Sequence, residues 1–303
     1  MKPLLKDRLQ KISALALAGK WRRLLHAPKR YVSGQYFFRT TYQKTKKGKL
    51  VEANTFFDTS MNVLLPAGMD IYLLGAKTHD SEIRLTLWML NNLTNGNTVL
   101  DIGTHFGFYS LLAAKLVGNN GKVIGIEASK AVHEVCQKNT TSVKNIQLFH
   151  LAATDQDAEL SFYEFPVLYS EYNTIDPEQF EDSDWVKENP PQQIIVKGTR
   201  ADTLLQSCNA IPDFIKIDVE GAEAKVISGL KNTLVKHKPI VALEYLSDER
   251  TNSAHALAAR QLFDFGYQAY FITESGGLKR TNDIGEDMRI GNIESDNVIF
   301  QCT

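Results

Sequence analysis

The sequence predicts an α/β fold on an open, mostly parallel, doubly wound sheet. Three observations carry this. Short apolar runs of strand character alternate with helical stretches from residue 99 onward. The first run, Val99-Leu100-Asp101-Ile102, turns into a helix through Gly103 and Gly107. A second run, Asp213-Phe214-Ile215-Lys216-Ile217-Asp218, ends in an acid and reaches a glycine at Gly221.

The chain has 303 residues, enough for one large core with additions. Three cysteines, Cys136, Cys208 and Cys302, are odd in number and widely spaced. That argues against a disulfide framework or a cysteine zinc site and fits a reducing compartment. No apolar run reaches the ~18–20 residues of a membrane span, and no secretory cleavage pattern is visible. The expected location is cytoplasmic, with peripheral contact at the inner membrane surface left open. The net charge of -1 hides an asymmetry: residues 1–50 carry +13 and the remainder -14.

Residues 1–50 read as a basic, partly helical extension. Leucines and Trp21 recur at spacings of three and four up to Pro28, the pattern of an amphipathic helix. One reading is an arm for a membrane surface or a polyanion. The other is a solvated basic helix packed on the acidic body or on a partner. Nucleic acid is the weaker option, because no recognition motif accompanies the charge. Residues 44–49 read as a linker. Residues 51–95 form a lead-in: two short strands about Pro66-Ala67-Gly68 between Asn62 and Leu74, then a helix from Glu82 to Asn92.

Residues 96–303 read as the main domain. Its expected strands are 99–102, 122–127, 146–151, 213–218, 239–245, 267–272 and 297–301. Helices are expected at 106–117, 129–139, 221–235 and 252–265. The last two strands are able to pair antiparallel, with irregular sequence between them. An insertion at 152–212 interrupts the alternation. It contains strands 159–164 and 193–197, an acidic and aromatic stretch from Tyr169 to Trp185, and a Pro190-Pro191 break. Insertions of this kind carry function more often than the scaffold does, so a substrate cover is expected there.

The turn after the first strand resembles a nucleotide cradle, in which glycine admits a ligand and a helix start offers unpaired N–H groups. A dinucleotide site needs Gly-x-Gly-x-x-Gly. Here residue 105 is histidine, and Asp101 is poor company for a pyrophosphate. An acid suits a ligand with a positive group, such as the amino group or sulfonium of S-adenosylmethionine. Glu127, at the end of the next strand, is placed to accept two ribose hydroxyls. The expected cofactor contacts are Asp101, Gly103, Thr104, His105, Gly107, Phe108, Glu127 and Ala128.

From about residue 62 onward the chain resembles the FkbM-type family of S-adenosylmethionine-dependent methyltransferases. The residues that carry the resemblance are Val-Leu-Asp-Ile-Gly-Thr-His-Phe-Gly-Phe-Tyr-Ser at 99–110 and Phe-Ile-Lys-Ile-Asp-Val-Glu-Gly-Ala-Glu at 214–223. The resemblance implies a Rossmann-like sheet of seven strands, one antiparallel, S-adenosylmethionine as cofactor, and O-methylation of sugar or polyketide hydroxyls. It places the family's glycine-loop positions on Asp101, Gly103 and Gly107 and its ribose acid on Glu127. Two departures stand out. Thr104-His105 replaces the family's usual Ala-Asn, and Ala128-Ser129 replaces Pro-Asn or Pro-Ser.

On the acceptor side, Asp218 ends one strand and Glu244 nearly ends the next. The expected catalytic set is Asp218, Glu244, Glu220 and Lys216. A carboxylate in reach of an acceptor hydroxyl can take its proton as a methyl group is transferred. Alternatively Asp218 and Glu244 hold a divalent metal, the less favoured version. Glu223 falls in a first helical turn, where an acid stabilises the helix dipole. His79 and His105 are secondary candidates for a base. Asn189-Pro190-Pro191 resembles part of an amino-methyltransferase motif, but Gln192 follows instead of an aromatic, so a proline break is expected. The sequence thus predicts an O-methyltransferase acting on a small or saccharide-type acceptor, a glycan or glycolipid. A nicotinamide-dependent oxidoreductase and a non-catalytic membrane-binding protein are the alternatives.

Overall fold

The structure, a computed structural model, describes residues 1–180, 184–247 and 253–302. Helices α1 (Lys2–Ala16), α2 (Lys20–His26) and α3 (Pro28–Phe37) open the chain, followed by a π-helical turn and the short α4 (Gln43–Thr45). Leu5, Leu9 and Ile12 of α1 are buried in the main core, and Arg8 pairs with Asp58 at 2.7 Å. The first helix is therefore part of the body, held by an i, i+4, i+7 apolar stripe.

The antiparallel hairpin of β1 (Lys49–Asn54) and β2 (Ser60–Leu65) leads to helices α5 (Met69–Leu74) and α6 (Asp80–Asn92). Two expectations are corrected here. The linker ends in a strand, and the second expected strand after Pro66 is helix α5. Gly75 closes that helix in a left-handed conformation, as a helix terminus often requires.

The main sheet follows. It comprises β3 (Thr98–Ile102), β4 (Lys122–Glu127) and β5 (Ile146–His150), with α7 (Phe108–Val117) and α8 (Lys130–Thr140) between them. The insertion folds as β6 (Ala152–Thr154), β7 (Glu159–Glu164), α9 (Asp184–Glu188), β8 (Gln192–Arg200) and α10 (Ala201–Ser207). Strands β6, β8 and β7 make a separate small sheet. The aromatic stretch packs on itself: Phe165, Tyr169, Tyr172 and Phe180 surround Trp185 with ring centroids 4.5–5.7 Å away. Residues 181–183 of that acidic stretch lie outside the described residues. Asn189 is buried and donates to the Trp185 carbonyl at the end of α9, so Pro190-Pro191 is a break before β8, as expected.

The chain then adds β9 (Phe214–Ile217), α11 (Glu223–Gly229), α12 (Lys231–His237), β10 (Ile240–Leu246), α13 (Ser253–Asp264), β11 (Gln268–Ile272), β12 (Leu278–Thr281), α14 (Ile284–Gly291) and β13 (Ser295–Gln301). Asn252, the expected start of the helix at α13, lies outside the described residues.

The sheet has eight strands in the order β12-β11-β13-β10-β9-β3-β4-β5. This corrects the seven expected. Strand β12 and helix α14 occupy the stretch expected to be irregular. Strands β12 and β13 run against the rest, so two strands, not one, are antiparallel. Lys279 and Arg280 face outward on β12, a polar edge that sequence patterning does not register as a strand. The expected helix 221–235 is two helices, broken at Leu230.

Strands β3, β4 and β9 are buried on both faces, which explains their near-continuous apolar sequence. The period of two divides them between two cores. Val99, Val123, Phe214 and Ala242 face one, with α1, α6 and α7. Leu100, Ile124, Ile215 and Val241 face the other, with α10 to α14.

Candidate active site

The parallel strands end together, and ligands of such sheets lie beyond those carboxyl ends. A crevice open to solvent lies there. Ile126, Ala128, Leu151, Ala152, Phe162 and Ile175 give it an apolar wall. Glu82, Glu171, Asp218, Glu220 and Glu244 line both this crevice and a second, adjoining hollow, whose remaining wall includes His79, Tyr109 and Lys216.

Of the eight expected cofactor contacts, Gly103, His105, Glu127 and Ala128 line the crevice; Asp101, Thr104, Gly107 and Phe108 do not. Asp101 is buried and accepts a hydrogen bond from Ser110 Oγ at 2.6 Å. It stands directly across the strands from Lys216. Burial raises its pKa, opposed by the Lys216 charge and the Ser110 bond. Its other carboxyl oxygen, Oδ1, is buried and has no hydrogen-bond partner among the described residues. The Thr104 hydroxyl approaches Cys136 Sγ at 3.6 Å, and Phe108 packs on Phe57.

The glycines also serve the interior. A Cβ at Gly103, where φ is +82°, would lie 1.8 Å from the Asp218 carbonyl oxygen. A Cβ at Gly107 would lie 2.9 Å from Cys136 Sγ. The amides of Gly103 and Thr104 bond the Ile126 carbonyl at 3.0 and 3.1 Å, and the His105 amide bonds Glu127 at 2.8 Å. The expected row of free donors at this turn is therefore largely engaged within the protein.

Glu127 accepts from the amides of His105 and Ser129. Burial pushes its carboxyl up to about 7 against those two bonds. His105 has a left-handed φ of +50°, and its Nε2 lies 2.9 Å from Ser170 Oγ in the insertion. Burial pulls its pKa down to about 4, so the ring is neutral at physiological pH. This histidine joins the cofactor-side turn to the insertion.

All four expected catalytic residues lie close together at the carboxyl ends of β9 and β10. Lys216 Nζ lies 2.7 Å from Asp218 Oδ2 and 5.0 Å from the Tyr109 ring centroid. The Asp218 and Glu244 carboxyls are hydrogen-bonded. Burial opposes ionisation of both. At Asp218 the Lys216 and Lys77 charges outweigh it and hold the carboxyl well below the usual range. At Glu244 burial, reinforced by Asp218 and Glu220, pushes the pKa well up. These opposed shifts favour the negative charge on Asp218 and the proton on Glu244. Asp218, Glu220 and Glu244 each offer a carboxylate oxygen within 4.8 Å of the others, a set of suitable chemistry for a divalent cation.

Three contributors went unread in the sequence. Lys77 bridges Glu82 at 2.5 Å and Glu171 at 3.2 Å, and its charge reaches Asp218. Glu82 and Glu171 lie away from any glycine turn, and Lys77 follows Gly75 in a lead-in segment that adds no strand to the main sheet. Glu223 is fully buried and accepts from the amides of Val219 and Gly221. It thereby holds the turn in which Glu220 takes a left-handed φ of +50°. His255 on α13 stands 3.7 Å from Glu223 and 2.9 Å from the Glu244 carbonyl oxygen. His79 lines the second hollow and contacts Ser81 at 2.8 Å.

No curated protein matches the chain in sequence. Among solved structures, a methyltransferase FkbM from Methylobacillus flagellatus KT is 13% identical with a TM-score of 0.42. That alignment covers 97% of this chain and 58% of the other. A precorrin-6y C5,15-methyltransferase from Geobacter metallireducens GS-15 is 15% identical with a TM-score of 0.38, covering 73% and 89%. Likeness at this level says nothing about substrate. Residues 101–269, more than half of the chain, match the family described as Methyltransferase FkbM domain. The chain belongs to the FkbM methyltransferase family.

Proposed function

We propose that this protein is an S-adenosylmethionine-dependent O-methyltransferase acting on a hydroxyl of a small or saccharide-type acceptor, a glycan or glycolipid. The observation that carries this reading is the Asp218–Glu244 carboxyl pair, which lines both the crevice and the adjoining hollow.

The crevice suits S-adenosylmethionine in its chemistry. Ala128, Ala152 and Phe162 supply an apolar wall for the adenine, and Glu127 a buried carboxylate for the ribose hydroxyls. The acidic end suits a sulfonium and an amino group. When bound, this cofactor supplies an electrophilic methyl group. The chain's own residues do the rest. Asp218 accepts the hydrogen bond of the acceptor hydroxyl and orients its oxygen. Its low pKa makes it a weak base, but a hydroxyl oxygen undergoing methylation becomes strongly acidic, so a weak base suffices. Lys216 and Lys77 keep Asp218 ionised, and the protonated Glu244 donates a hydrogen bond to it without giving up its proton. If a divalent cation binds, Asp218, Glu220 and Glu244 are its donors.

The test is transfer of labelled methyl from S-adenosylmethionine to a panel of glycans, lipid-linked sugars and amines, with calorimetry of S-adenosylhomocysteine binding. Saturable binding and ether formation on a hydroxyl support the reading. Absence of binding overturns the cofactor assignment, and transfer to nitrogen alone overturns O-methylation. A chelator added to the assay decides whether a cation takes part.

A further inference from the structure

Helices α2 and α3 carry a surface that methyl transfer does not use. Each presents an i, i+4 pair of large apolar side chains to solvent: Trp21 and Leu25, both 78% exposed, and Val32 and Tyr36 at 59% and 69%. Lys20, Arg22, Lys29 and Arg39 are exposed on the same helices and the turn that follows. No Asp or Glu occurs between Asp7 and Glu52. Among the described residues, Arg8–Asp58 is the single ion pair joining residues 1–50 to the body. The acidic body therefore does not neutralise this surface.

The inner side of the same segment is firmly docked. Phe37 and Tyr42 are buried with Leu65, against Met69, Val167 and Leu168. The Tyr42 hydroxyl accepts from the Leu168 amide at 2.9 Å, and Lys46 donates to Asn189 at 2.9 Å. The outward apolar pairs are thus held in place by a packed base.

We infer that α2 and α3 form a binding surface for an anionic lipid bilayer. Exposed tryptophan, tyrosine and leucine between cations match an interface where aromatic rings sit at headgroup level and cations meet lipid phosphates. Nucleic acid would use the cations but leave exposed leucine and valine without a role. The docked base also places lipid contact next to Val167 and Leu168, just before Ser170 and Glu171 of the crevice wall.

Co-sedimentation of the full chain with phosphatidylcholine vesicles, with and without phosphatidylglycerol, tests this independently of any methyl transfer. The expected result is pelleting only with phosphatidylglycerol, weakened by salt. Trp21→Ser with Leu25→Ser, and separately Lys20→Glu with Arg22→Glu, should each lower partitioning by about ten-fold or more. Both pairs lie on solvent-facing positions, and unchanged thermal melts will show that the fold is intact. No pelleting with anionic vesicles overturns the inference. So does pelleting that the serine pair leaves unchanged. RNA binding sensitive only to the charge reversal, without vesicle binding, reassigns the surface to nucleic acid.

Discussion

Gly103 and Asp218 meet across the seam between β3 and β9, so closely that a Cβ at residue 103 would stand 1.8 Å from the Asp218 carbonyl oxygen. The two sequence motifs are thus one physical unit. The glycine of the first lets the turn after β9 lie against it. Gly103→Ala forces both a backbone collision and a side chain at φ +82°. It should cost about 3 kcal/mol or more, seen as a lowered melting temperature. An unchanged melt would show that the seam yields freely.

Asp218→Asn removes the carboxylate but keeps the shape. Turnover should fall by about 10²–10⁴-fold, while calorimetric affinity for S-adenosylhomocysteine stays within about three-fold. Glu244→Gln retains a donor toward Asp218, so it should cost far less. Equal losses in both variants would mean that Glu244 itself must titrate.

Glu127 makes stability depend on pH. Its folded pKa, about 7, stands above the ordinary 4.5 because of burial. Below that ordinary value both folded and unfolded chains are protonated. Between the two values the unfolded chain ionises while the folded one keeps its proton, so stability falls as pH rises, by at most about 3 kcal/mol. Glu127→Gln should flatten this decline and melt higher than the parent at alkaline pH. It should also weaken S-adenosylhomocysteine binding by about ten-fold. Denaturant melts across pH and calorimetry check the two halves separately.

Glu223 is a positioning residue, holding two amides of the turn that carries Glu220. Glu223→Ala leaves those half-buried amides unpaired, at about 1–3 kcal/mol, and turnover should drop with it. Glu223→Gln keeps an acceptor oxygen and should recover most of both. If glutamine fails to rescue, the charge toward His255, 3.7 Å away, is what matters.

Much of this molecule follows from local pattern. Period-two apolar runs and glycine turns marked the central strands, because a strand buried on both faces permits little else. The pairing of Asp218 with Glu244 was also legible, since both lie at carboxyl ends of neighbouring strands. The edge is not: β12 alternates too weakly to announce a strand, and the six apolar-rich residues of α5 suit a strand as well as a helix. The surroundings of Asp101 depend on register. Its register opposite Lys216 sets one charge near it, while Oδ1 stays buried without a hydrogen-bond partner among the described residues. Lys77, Glu82 and Glu171 are distant in sequence from every motif, and only packing of α6 and the insertion over the strand ends brings them to Asp218. Sequence alone determined which strands build the sheet and where a ligand crevice must open, because hydrophobic periodicity and turn chemistry are local. Tertiary structure decided which acids face that crevice and which are buried behind it, because charge and burial depend on neighbours that the chain meets only when folded.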